Sequence, residues 1–354
     1  MEGVLKDFFK GKRVFITGAA GTVGRALAEK LSTFPVEELI LFDNNESEAF
    51  FLREKFRDDP RVTVYLGDIT DHEKIKKICR GVNIIFHCAA YKHVILSEYN
   101  SFDYVKINVL GTQNIIECAL ENEVDLVINT STDKAVNPTN VMGATKLLGE
   151  KLITAANATS YGSKTIFSSV RFGNVLGSRG SIVPLLIKQI KRGGPVTLTD
   201  ERMTRFVMSI NDATNLVLKS ATLAIGGEVF VLKMKAVRII DLIKAVVELV
   251  APEFGYEPES IEIKKIGAKP GEKLYEELMN EEETTRSMEL KDMFVIIPAF
   301  KPIYNKKEYR YPDVVKEQIE KPYISKHEEF LSVEEIKEYL KREGVIEYCL
   351  EGGV

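Results

Sequence analysis

Residues 130–146 read TSTDKAVNPTNVMGATK. An apolar run from Val124 to Ile128 precedes them and predicts a buried strand; the residues from Met142 to Ala156 follow with the spacing of an amphipathic helix. Ser131, Thr132, Asp133 and Lys134 therefore fall where a strand ends and its carboxyl edge opens. In open parallel sheets that edge is where ligands bind. A hydroxyl, a carboxyl and an amine in succession put a candidate acid and a candidate base side by side. Met142 and Lys146 stand four apart, so they share one helix face.

Working back toward the N-terminus, the same alternation repeats. Arg13 to Thr17 reads as a short buried strand, followed by Gly18-Ala-Ala-Gly21-Thr22-Val23-Gly24 and a helical pattern running to Leu31. Glycines between a strand and a helix allow a tight turn and let a pyrophosphate approach the amides at a helix N-terminus. This spacing predicts dinucleotide binding by Gly18, Gly21, Thr22, Val23 and Gly24. Asp43 ends the next strand, Glu38 to Phe42, and is placed to accept hydrogen bonds from an adenosine ribose. No arginine follows it to receive a 2′-phosphate, so NAD is favoured over NADP. Capping the next helix is an equally compatible role for Asp43. A third strand, Arg61 to Leu66, leads to Asp68 and Ile69, set to meet the adenine edge; Asp68 could as well cap a helix. A fourth, Asn83 to Cys88, leads to Ala89 and Ala90, small enough for a cofactor to lie against the backbone. A single long helix is expected over 102–122, with Asn108 as a polar core residue. His93 is read as a loop residue outside the site.

Beyond the central stretch the sequence predicts a strand from Lys164 to Val170, the segment Arg171-Phe-Gly-Asn174, and a helix from Ser181 to Lys191. Asp200 to Asp212 leads into a further helix. Lys269-Pro-Gly-Glu272 reads as a turn before a helix, and Ser332-Val-Glu-Glu335 as a capping box. The expected fold is α/β: a Rossmann-type doubly wound parallel sheet with a smaller C-terminal substrate-binding lobe. Residues 1–174 would form the NAD-binding part, with later strands returning to it, and 175–354 mainly the substrate lobe and a C-terminal extension.

Composition narrows the function. The chain has 354 residues, 45% hydrophobic and 28% charged, enough for one large core and a smaller one. A net charge of -4 with scattered basic residues argues against a nucleic-acid partner. The four cysteines show no CxxC spacing and Cys79, Cys88 and Cys118 lie in apolar patterns, which suits free buried thiols in a reducing cytoplasm. The histidines never fall at ligand spacing, so no metal is expected. No apolar run approaches the ~18 residues of a membrane span, and no secretory leader is evident, so a cytoplasmic location is expected.

With GAAGTVG, AAYKHV, NVLGTQN, STDKAVNPTNVMGATK, VRFGNVLGSRGSIVP and KPGEKLYEEL in view, the chain resembles an extended short-chain dehydrogenase/reductase. More narrowly it resembles the nucleotide-sugar 4,6-dehydratases that act on UDP-N-acetylglucosamine in polysaccharide biosynthesis. The resemblance implies catalytic roles for Thr132, Asp133, Lys134 and Lys146, the last also binding the nicotinamide ribose. It implies substrate contacts at Asn174, Arg205 and Lys269, the two cations on the sugar diphosphate; a plain surface cation is the other reading of each. It implies C4 oxidation by NAD, loss of water across C5 and C6, and hydride return to C6. Relatives pair the helices beginning near Phe102 and Met142 across a two-fold axis, which implies a homodimer or a larger homo-oligomer. Short-chain enzymes carry tyrosine where Met142 stands, so the C4 base stays open among Thr132 backed by Lys146, Asp133, and a water. A UDP-sugar 4-epimerase, or a catalytically silent NAD-binding regulator, would share the fold.

Overall fold

The computed structural model describes residues 2–160, 162–267, 271–300 and 308–351. They divide into two compact units: Met1–Phe172, Thr214–Leu232 and Met279–Pro322 form the first; Gly173–Ala213, Lys233–Leu278 and Tyr323–Val354 the second.

The first unit is built on a ten-stranded sheet. Its strands, in chain order, are β1 (Arg13–Thr17), β2 (Glu38–Asp43), β3 (Val62–Leu66), β4 (Ile84–His87), β5 (Leu126–Thr132), β6 (Ile166–Phe172), β7 (Val229–Leu232), β8 (Ser287–Leu290), β9 (Met293–Ile296) and β10 (Val314–Lys316). They lie in the order β10-β8-β9-β7-β6-β5-β4-β1-β2-β3. From β7 to β3 all neighbours are parallel; β9, β8 and β10 add an antiparallel edge. The doubly wound α/β fold is therefore present. Strand order reverses between β1 and β4, the topological switch point where such sheets bind ligands.

Helices α1 (Glu2–Phe9), α2 (Thr22–Ser32), α3 (Glu46–Lys55), α4 (His72–Ile78), α5 (Val94–Tyr99), α6 (Ser101–Val105), α7 (Gly111–Glu121) and α8 (Val141–Thr159) accompany the sheet. Register puts Phe15, Ile85, Val127 and Phe167 in one row across β1, β4, β5 and β6. All four are fully buried in one cluster with Ile115 and Ile153 from α7 and α8. Burying such side chains contributes about 1.5–3 kcal/mol each, so this row holds the four strands in register.

The long helix expected over 102–122 runs without interruption through α6 and α7 and contains a π-helical turn at Lys106–Leu110. Asn108 lies in that turn. Two capping expectations change as well. Asn45, not Asp43, caps α3 by accepting from Glu48 N at 3.1 Å, and Asp71, not Asp68, caps α4 by accepting from Lys74 N at 3.1 Å.

In the second unit, helices Ile239–Val250, Ile182–Ile190 and Val333–Arg342 share one apolar core that includes Leu242, Val246, Val183, Ile336 and Leu340. Ser332 caps the last of these, and both bonds of its capping box with Glu335 are formed. Thr204–Met208, expected only as a lead into a helix, is a buried strand between Lys235–Arg238 and Asn174–Val175. The residues after Gly271 continue into a strand, Glu277–Met279, rather than the expected helix.

Candidate active site

The glycine turn after β1 meets the loop after β4. Gly18 has φ +64°, and a Cβ there would sit 2.6 Å from Ala89 N; one on Gly24 would sit 2.2 Å from Gly18 O. Both positions therefore require glycine. Gly21 begins α2 without a side-chain cap, and Thr22, Val23 and Gly24 form its first turn. An uncapped helix N-terminus beside a tight backbone turn fits a bound diphosphate. Asp43 accepts from Ala20 N at 2.9 Å and Asn45 N at 3.0 Å, tying the glycine turn to the end of β2. Arg25, one turn into α2, is paired with Glu48 of α3 at 2.6 Å, a cation close in sequence to this site that spacing alone did not single out. Asp68 accepts from Thr70 N and Oγ1 at 2.8 and 2.6 Å, and buried Ile69 packs against Gly111.

The loop carrying Ala89 and Ala90 is anchored by side chains that sequence reading missed or gave a plainer role. His87, the last residue of β4, is fully buried between Thr17 and Thr112. The Thr112 hydroxyl donates to Asn108 O at 2.8 Å, so it accepts from His87 Nε2 at 3.1 Å. Thr17 then donates to His87 Nδ1 at 2.8 Å and accepts from Ala89 N at 3.3 Å. The network places the imidazole proton on Nε2. Burial, with the Lys146 charge beside it, pushes His87 down to about 3, so the ring is neutral. Asn108 grips the same loop through Tyr91 N at 2.8 Å and Tyr91 O at 3.0 Å, and reaches Thr145 Oγ1 of α8 at 3.0 Å.

At the carboxyl end of β5, Thr132 closes the strand and Asp133–Ala135 forms a single helical turn. Asp133 is fully buried. Its Oδ1 accepts from the Thr132 hydroxyl at 2.8 Å and from Lys134 Nζ at 3.0 Å. Its Oδ2, and the buried Ser131 hydroxyl, have no hydrogen-bond partner among the described residues. A buried carboxylate oxygen without a partner is costly, which marks it as an acceptor or proton carrier for something outside the chain. Lys146 is also buried and donates to Thr130 O at 2.7 Å. Burial pulls it down to about 8 against the opposing pull of Glu150 and Cys88. Met142, at the tyrosine position, is buried at 3% exposure. It has no titratable group and cannot serve as a base there.

Asn174 and Arg205 belong to the second unit, on paired strands: Asn174 lies opposite Val207, two residues from Arg205. Arg205 is 5% exposed, not a surface cation. Its guanidinium donates to Thr204 O at 2.8 Å and Lys273 O at 2.9 Å, and its Nε lies 3.5 Å from Glu276. Lys269 lies outside the described residues.

Known proteins agree with this architecture. The family described as polysaccharide biosynthesis protein matches residues 14–298. An uncharacterized membrane protein of Methanocaldococcus jannaschii is 50% identical over 95% of this chain and 97% of its own. Among the described residues, no helix is long and apolar enough to cross a membrane. Staphylococcus aureus capsular polysaccharide biosynthesis protein CapD is 43% identical over 77% of this chain, which spans 46% of that protein. An inverting UDP-N-acetylglucosamine 4,6-dehydratase of Campylobacter jejuni is 36% identical over 83% of this chain and 85% of its own. A UDP-glucose 4-epimerase of Rickettsia rickettsii is 37% identical over 94% and 96%. The solved structure of Pen from Bacillus thuringiensis superposes with TM-score 0.89 at 39% identity, covering 96% of this chain and 99% of that one. The glycine turn at the switch point, the Thr-Asp-Lys edge and these matches agree: the chain belongs to the polysaccharide biosynthesis protein family of extended short-chain dehydrogenase/reductases, among nucleotide-sugar dehydratases and epimerases.

Proposed function

We propose that the chain is an NAD-dependent 4,6-dehydratase converting UDP-N-acetylglucosamine to a UDP-4-keto-6-deoxy-N-acetylhexosamine. The observation that carries this reading is the Asp133–Lys134 pair, with one buried carboxylate oxygen lacking a partner, at the strand edge beside Lys146. Eliminating water from a 4-keto sugar requires one group to take the C5 proton and another to protonate the departing C6 hydroxyl.

Bound NAD supplies a hydride acceptor and donor. Gly18, Gly21 and the first turn of α2 would receive its diphosphate, and Asp43, Asp68, Ile69, Ala89 and Ala90 would flank it. NAD is favoured over NADP because the Asp43 carboxylate opposes a 2′-phosphate and Arg25 is already paired with Glu48. Lys146 would hold the nicotinamide ribose, and Asn174, Arg205 and Lys269 the sugar diphosphate.

The pair at β5 shares one proton. As an ion pair it is carboxylate and ammonium; moving that proton from Lys134 Nζ to Asp133 gives a neutral amine and a neutral acid. Lys134 in that form removes the C5 proton, while Asp133 gives its own to the C6 hydroxyl, which leaves as water. The ammonium and carboxylate are thereby restored. Lys134 then returns a proton to C5 as hydride reaches C6. The proton released from the C4 hydroxyl during oxidation replaces the one Asp133 spent, so the cycle closes. Thr132, hydrogen-bonded to the same Asp133 oxygen, orients the acid.

Exposed apolar side chains at Tyr99 and Phe102 (84% and 65% exposed), with Leu110 at the end of the π-helical turn and Leu148 on α8, support a homodimer.

A UDP-sugar 4-epimerase is the second reading, favoured by the rickettsial relatives; it leaves buried Asp133 without a proton-transfer task. Incubation with UDP-N-acetylglucosamine and weighing the product separates the two. Loss of one water is expected. An isomer of unchanged mass would replace the dehydratase reading with the epimerase, and no change would favour a silent NAD-binding protein.

A further inference from the structure

The family match ends at residue 298, yet a segment beyond it is built into the strand that carries Arg205. Tyr323 is buried, and its ring lies against Phe206 with centroids 4.5 Å apart. Its hydroxyl donates to Met234 O at 3.0 Å and accepts from Met234 N at 2.8 Å. Phe206 belongs to the strand Thr204–Met208, and Met234 immediately precedes the neighbouring strand Lys235–Arg238. Two residues after Tyr323, Ser325 is fully buried. Its hydroxyl meets Thr204 Oγ1 at 2.8 Å, Thr204 O at 3.3 Å and Glu276 N at 3.0 Å. Donating its one proton to Thr204 O lets the oxygen accept from the other two. Ser325 N also donates to Glu276 O at 2.9 Å, so Glu276 is held by both its backbone groups.

Thr204 and Glu276 are two of the groups around the Arg205 guanidinium. Thr204 O accepts from Nη1 at 2.8 Å, and the Glu276 carboxylate lies 3.5 Å from Nε. Lys273 O, three residues before Glu276, accepts from Nη2 at 2.9 Å. Ser325 therefore reaches the surroundings of the guanidinium from two sides.

We propose that Ser325 is a positioning residue for the sugar-diphosphate contact: acting through Thr204 and Glu276, it sets the direction of the Arg205 fork. A guanidinium grips phosphate oxygens with two parallel N–H bonds, so the plane it is held in decides the contact. The short bonds to Thr204 O and Lys273 O hold that plane. The long contacts, Nη1 to Leu274 O at 3.4 Å and Nη2 to Met203 Sδ at 3.6 Å, are the ones phosphate oxygens would replace. A shift of Thr204 O or of the 273–276 stretch turns the fork with it.

This inference rests on the reading that Arg205 holds the sugar diphosphate, so Arg205→Ala is measured beside the new variants. The full-length proteins are titrated with UDP and, separately, with NAD, below the Tm of every variant. Ser325→Ala is expected to bind UDP about tenfold more weakly, the order of one hydrogen bond, with NAD affinity unchanged. Thr204→Val removes the hydroxyl that meets Ser325 while keeping the shape, and should show the same loss. Thr204→Ser keeps that hydroxyl and should bind UDP as wild type does. Wild-type UDP affinity in Ser325→Ala, whatever its Tm, would overturn the proposal and leave a purely structural serine. So would an equal loss of UDP and NAD affinity, or a Thr204→Ser as weak as Thr204→Val. Should Ser325→Ala not fold, the two Thr204 variants decide. Normal UDP binding in Arg205→Ala would remove the diphosphate contact itself, and this proposal with it. Weak UDP binding there beside normal binding in Ser325→Ala would overturn the positioning role alone.

Discussion

Lys134 Nζ donates to Asp133 Oδ1 across 3.0 Å, and the carboxylate it meets is fully buried while the lysine keeps a quarter of its side chain in solvent. Neighbours in sequence are thus neighbours in chemistry, one on each side of the protein surface. The exposed ammonium can exchange protons with water, and the enclosed carboxyl cannot. In the proposed reaction Lys134 is then the route by which a proton enters the pair, and Asp133 the place where one is kept from solvent. Isotope labelling at C5 follows the proton itself and so separates their proposed roles.

With wild-type enzyme in heavy water, deuterium should appear at C5 of the product. Lys134→Ala should bind UDP-sugar and NAD normally but dehydrate about 10²–10⁴-fold more slowly, the usual worth of a placed proton-transfer group, and should not exchange the C5 proton. Dehydration at near wild-type rate would pass the role of base to another group.

Arg205 joins the proposed diphosphate contact to the stability of its own unit. It is buried and bonded to Thr204 O, Lys273 O and the region of Glu276. Removing one partner of a buried pair costs roughly 3–5 kcal/mol, so Arg205→Ala should lower Tm as well as weaken UDP-sugar binding, leaving NAD binding intact. Arg205→Lys keeps the charge but loses the two-pronged guanidinium, and should recover part of the stability and little of the affinity. Titration of both variants with UDP checks this; normal UDP affinity in a folded Arg205→Ala would place the diphosphate contact elsewhere.

His87 predicts an acid-sensitive fold. Its folded value is depressed from 6.5 to about 3 by burial and by Lys146. A neutral buried histidine that must charge on unfolding contributes stability present above pH 6.5 and lost as pH falls toward about 3. The loss is about 1.4 kcal/mol per pH unit within that window. Urea unfolding of wild type and His87→Gln at a series of pH values isolates it: the difference between the two should shrink as pH falls. A difference constant with pH would mean that the fold does not shift His87 from its ordinary value.

Local chemistry was legible from the chain alone. The alternation of short apolar runs with helical spacing announced the parallel sheet, because side-chain periodicity needs no distant partner. The glycines at 18, 21 and 24 announced the turn at the switch point, and Ser332 with Glu335 the last capping box, since each of these is settled within a few residues. Thr132, Asp133 and Lys134 could be placed at a strand end for the same reason. What depends on the packed interior was decided only in three dimensions. Asn45 took the cap that Asp43 could have held, because Asp43 was drawn to the Ala20 amide on another loop. The helix around Asn108 opened into a π-turn, and the Asn108 side chain there spans Tyr91 and Thr145. His87 became a buried hub, because the sequence shows its apolar strand but not Thr17 and Thr112, the groups it meets there. Glu150 stands one helical turn from Lys146, a spacing visible in the sequence, yet its partner Arg171 also holds Glu283, 112 positions beyond that arginine. Desolvation and charge balance depend on everything that surrounds a group, and sequence proximity reports only the fraction of those surroundings that lies within a turn or two.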